Sequence, residues 1–80
     1  MIVIILDSNN KEIPLEIKPS DRISDLIFKL RKEKGINSKI VLHYNGKILK
    51  ENQEIQFYEI EEDSQIVYTG TFMAGLLKYK

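Results

Sequence analysis

Apolar residues recur along this chain in two rhythms. Residues 1–6, Met-Ile-Val-Ile-Ile-Leu, are apolar without a break. Their β-branched content predicts a strand. Ser8, Asn9 and Asn10 follow as turn formers. Ile13, Leu15 and Ile17 then alternate with Glu12, Pro14 and Glu16, the period of a strand with one buried face. Two strands around a short turn predict a hairpin. Proline has no N–H, so Pro14 is expected on an edge strand with its nitrogen turned away from its partner. After this the period changes. Pro19 stops the strand, and Ser20 and Asp21 are expected to cap a helix. Ile23, Leu26, Ile27 and Leu30 fall at i, i+3, i+4 and i+7, one face of that helix. Basic residues crowd its last turns, where they complement the helix dipole. Gly35 supplies the C-terminal cap.

Lys-Ile-Val-Leu-His-Tyr, residues 39–44, predicts a third strand. Asn45-Gly46-Lys47 predicts a tight turn, and Ile48-Leu49-Lys50 a short returning strand. Residues 51–64 are acidic and irregular, with apolar anchors at Ile55, Phe57, Tyr58 and Ile60. Residues 64–71 predict the last strand. The predicted order is ββ–α–ββ–β. A single helix covers only one face of such a sheet and leaves the other uncovered.

Composition narrows the functional classes. The 80 residues are enough for one domain and too few for two cores. There is no cysteine, which excludes disulfides and thiolate metal sites. His43 is the one histidine and cannot build a metal site alone. No Ser/His/Asp constellation, metal-ligand spacing or phosphate-binding glycine loop is visible, so neither an enzyme nor a cofactor is expected. The formal net charge is zero, which gives no electrostatic argument for nucleic acid or membrane. Basic residues gather between 29 and 39, acidic ones between 51 and 63; both read as solvated faces. The apolar start is far shorter than the ~20 residues of a membrane span and has no basic lead.

Residues 1–36 resemble the first half of ubiquitin without a gap, most closely at Leu-Glu-Ile-Lys-Pro-Ser-Asp (15–21) and Lys-Gly-Ile (34–36). After one deletion near residue 38, Leu-His-Tyr-Asn-Gly-Lys-Ile-Leu (42–49) resembles its third strand, turn and fourth strand. Tyr58-Glu59-Ile60, with Ser64, resembles its late turn, where a tyrosine hydroxyl ties down the loop. The resemblance runs from residue 1 to about residue 75. It implies an α+β fold, the ubiquitin-like β-grasp: a mixed five-stranded sheet packed on one helix (ββαββ), its end strands parallel and central. The domain is expected to span residues 1–72, with 73–80 as a flexible tail. The resemblance implies no catalysis.

In that fold Met1, Val3 and Ile5 face the helix. Ile2, Ile4 and Leu6 face the open side, where the neighbouring strands add Val41, His43, Val67 and Thr69. These seven residues are the expected protein-binding face. The positions read by ubiquitin's receptors are Ser8, His43, Val67 and Thr69 here, none retained in kind, so the site is expected to lie closer to the first strand. The resemblance implies a receptor of ubiquitin-like domains as partner, a monomeric state, and a cytoplasmic and/or nuclear location. Phe28, on the outer side of the helix, and Phe57, by the acidic loop, read as a second contact or as minor packing residues, with packing the expectation.

Two other readings stay open. A modifier conjugated to other proteins would end in two glycines; those positions are Ala74 and Gly75, and Leu76–Lys80 would first have to be cut off after Gly75. Lys11, Lys29 and Lys47 match chain-forming lysines. A splicing-associated ubiquitin-like module would touch RNA through a basic tail, for which only Lys78 and Lys80, with Tyr79 for stacking, are available.

Overall fold

The computed structural model describes residues 1–36 and 39–70. Strands β1 (Ile2–Leu6) and β2 (Glu12–Glu16) form the expected hairpin, followed by helix α1 (Ile23–Lys34). Strands β3 (Ile40–Tyr44) and β4 (Lys47–Ile48), a 3-10 turn (Ile55–Tyr58) and β5 (Gln65–Gly70) complete the described chain. The sheet order is β2-β1-β5-β3-β4. β1 and β5 run parallel at its centre, and every other pairing is antiparallel. This is the β-grasp arrangement.

The inner face is built by alternation. Val3 and Ile5 of β1, Ile13 and Leu15 of β2, Ile40 and Leu42 of β3 and Ile66 of β5 are buried. They pack with Ile23, Leu26, Ile27 and Leu30, the four helix residues spaced at i, i+3, i+4 and i+7. Ile17, Leu49, Ile55 and Ile60 close the ends of this core. No polar or charged residue is buried among the described residues, so the core carries no desolvated charge needing a partner.

The hairpin registers explain the turns. Asp7 closes the first: its carboxylate accepts from the N–H groups of Asn9 (2.8 Å) and Lys11 (2.9 Å). Asn45 and Gly46 both have positive φ, the pair that a two-residue turn requires to match strand twist. Gly35 ends α1 in the left-handed region and donates to the carbonyl of Arg31 at 2.7 Å.

The N-terminus of α1 departs from expectation. Neither Ser20 nor Asp21 is its cap; Arg22 is. Asp21 instead accepts from the N–H of Lys18 and closes the preceding turn. The first helical N–H groups are met by tertiary contacts. Ile23 donates to the carbonyl of Gln53 and Ser24 to that of Glu51, while Asp25 accepts from the N–H of Arg22. Helix-end donors need a partner, but not one from the local sequence. The fourth strand is also shorter than expected: only Lys47–Ile48 pairs, with Leu49 adding one bond to Leu42.

Candidate interaction face

The outer face of the sheet carries no helix. Strand alternation turns Ile2, Ile4 and Leu6 outward while Val3 and Ile5 are fully buried. Pairing then aligns residues across strands. Leu6 sits beside Val67, Val67 opposite His43, and His43 opposite Ile48. Residues opposed in a ladder point to the same side. Leu6, Val67, His43 and Ile48 therefore form one row across β1, β5, β3 and β4. Val41, opposite Thr69, flanks the row on one side and Ile4, beside Gln65, on the other. Val67 is 43% exposed and Ile48 63% exposed; the other aliphatic members are half-buried.

All seven expected residues thus share the outer face, but they are not one unbroken apolar patch. Gln65 interrupts it beside Ile4. Ile2 lies at the far end, where its N–H donates to the Glu62 carboxylate at 3.2 Å. The continuous part runs across the strands rather than along β1. Its most exposed member, Ile48, is one the sequence reading leaves out. A signal was present: a two-residue turn at Asn45-Gly46 places Ile48 opposite His43 by counting.

The row has a polar centre. His43 Nε2 lies 3.3 Å from the Thr69 hydroxyl, so the imidazole is oriented by a neighbour on the same face. At β4 the surface turns a corner. Ile48 also lines a groove of about 640 Å3 with Lys47, Lys50, Phe57 and Tyr58. Phe57 is 63% exposed and meets Tyr58 edge-on, 5.1 Å between ring centres. It is not the packing anchor expected; Ile55 and Ile60 fill that role. The Tyr58 hydroxyl accepts from the N–H of Lys50 at 2.8 Å, the loop tie implied by the late-turn resemblance. Phe28 is also exposed, on the outer side of α1, with the Lys32 ammonium 5.8 Å above its ring.

The three lysines singled out differ. Lys29 donates from Nζ to the carbonyl of Glu16 at 2.7 Å, whereas Lys11, in the connection between β1 and β2, and Lys47, the first residue of β4, are exposed. The basic and acidic clusters do not neutralise each other: the two ion pairs among the described residues are Met1–Glu16 and Lys34–Asp7. Ala74, Gly75, Lys78, Tyr79 and Lys80 lie outside the described residues, as does the tail as a whole. Among the described residues no helix is long and apolar enough to cross a membrane.

A mixed sheet with parallel central strands wrapped around one helix, its late loop pinned by a tyrosine, defines a ubiquitin-like β-grasp domain. Residues 1–67 match the family described as Ubiquitin-2 like Rad60 SUMO-like, and the chain belongs to that family. No curated protein matches it as a relative.

Proposed function

We propose that this domain is a non-catalytic interaction module that meets protein partners face-on. Its contact would be the row Leu6–Val67–His43–Ile48, flanked by Ile4, Val41 and Thr69. One observation carries this reading: the pairing register gathers aliphatic side chains from four strands onto the face that α1 leaves uncovered. Scattered exposed apolar residues need no explanation, but a contiguous set on one face marks a contact surface. Family membership supports a partner that reads ubiquitin-like surfaces.

The row fits an apolar segment that also offers one hydrogen-bonding group to His43 or Thr69. The test uses three variants of the full chain. Val67→Lys and Ile48→Lys place a charge in the row without touching the core. Phe28→Ser alters the opposite side. A partner held by the wild type and by Phe28→Ser, but released by both lysine variants, supports the reading. Equal retention by all four proteins overturns it.

A further inference from the structure

A five-stranded open sheet has two edges. One is β4, only two residues long; the other is β2, five residues long. Exposed edges invite an extended segment to add as a further strand. Two grooves of about 410 and 400 Å3 run between β2 and α1, which leaves room for the side chains of such a segment. We infer that this edge is nevertheless closed to strand addition, and that Pro14 and Lys29 are the residues that close it.

The register decides which backbone groups face outward. Met1 and Ile17 exchange hydrogen bonds, and Asp7 donates to the carbonyl of Lys11. In an antiparallel ladder such bonded pairs alternate with unbonded ones. Glu12, Pro14 and Glu16 therefore turn their backbone groups away from β1. The N–H of Ile4, opposite Pro14, agrees: it points the other way and donates to Ser64. An incoming strand would need donors and acceptors at these three residues. Pro14, at the centre, has no N–H. The carbonyl of Glu16 already accepts from Lys29, which reaches around from α1 to 2.7 Å, so a guest donor there must compete with it. Among the described residues Glu12 is the one of the three that offers both groups without such competition.

A second copy meets a further obstacle. Antiparallel pairing of two β2 strands about Pro14 sets Glu12 of one opposite Glu16 of the other, and like charges directly opposed destabilise a ladder. The β2 edge thus rejects both a foreign strand and its own copy.

The test removes both blocks with Pro14→Val and Lys29→Met in the full chain. The probe is a short synthetic peptide of alternating lysine and valine, whose lysines would face Glu12 and Glu16. Binding is followed by amide hydrogen exchange and chemical shifts. The expected result is no protection of the Glu12 and Glu16 amides in the wild type. In the double variant, protection is expected at residues 12, 14 and 16, with affinity at least tenfold tighter. Protection at Glu12 and Glu16 in the wild type overturns the inference, as does a folded double variant that takes the peptide no better. Should the double variant not fold, Lys29→Met alone serves: it frees the carbonyl of Glu16, and tighter binding at this edge than in the wild type is then required. Shifts at Leu6 and Val67 would report the outer face and are separable from these amides.

Discussion

At the scale of single residues, neighbours along β1 have opposite fates. Ile5 is fully buried and Ile4 only half-buried. Truncating a buried isoleucine removes transfer energy and leaves a cavity. Ile5→Ala is therefore expected to cost about 2–5 kcal/mol, and Ile4→Ala about 1 kcal/mol, as read by urea denaturation. Comparable losses would mean that the two faces had been misassigned. Asp7 gives a pH prediction. The Lys11 amide lowers its pKa most; partial desolvation opposes this, and the Asn9 amide and the Lys34 ammonium add to the lowering. A carboxyl whose folded pKa is depressed contributes stability above its unfolded pKa of about 3.9, lost as pH falls through the lower folded value. Asp7→Asn should therefore flatten the dependence of stability on pH below about pH 4. If wild type and variant lose stability in parallel on acidification, Asp7 is not the group responsible.

At the scale of elements, α1 shows local and tertiary control at its two ends. Its C-terminus is written in the sequence. Gly35 has φ +65° and a Cβ placed there would meet nothing within 4 Å. Gly35→Ala is thus a purely conformational change, expected to cost about 1–2 kcal/mol with no new clash. Thermal melts of wild type and variant measure it, and an unchanged midpoint would contradict the left-handed cap. The N-terminus is different. Ser20 and Asp21 are sound capping residues by type, yet the carbonyls of Glu51 and Gln53 take the first helical donors. A loop some thirty residues away in sequence outcompetes the local side chains. No local pattern announces that contact.

For the molecule as a whole, the outer row departs from the positions that ubiquitin's receptors read. Ser8 is polar and exposed, and His43 at the row's centre is engaged with Thr69. A generic ubiquitin-binding domain titrated into the labelled protein is expected to bind with Kd of about 1 mM or weaker, near 4 kcal/mol. Micromolar affinity, with strong shifts at Ser8, His43 and Thr69, would contradict this.

Much of this architecture was legible before any coordinates. The inner stripe of α1, the alternation of β2 and the turn at Asn45-Gly46 are set by periods of 3.6 and 2 and by residues that tolerate positive φ, all properties of neighbouring residues. Pro14's place on an edge, nitrogen outward, followed from its missing N–H alone. Other features rested on partners remote in sequence. Phe57 read as an anchor because it is apolar, but the burial of Ile55 and Ile60 left it outside. The row from Leu6 to Ile48 exists only once β5 enters between β1 and β3, since its members lie up to 61 positions apart. Likewise the closing of the β2 edge by Lys29 needs a helix and a strand placed side by side. Periodicity assigns each side chain to a face; only chain packing decides which faces meet and which stay open.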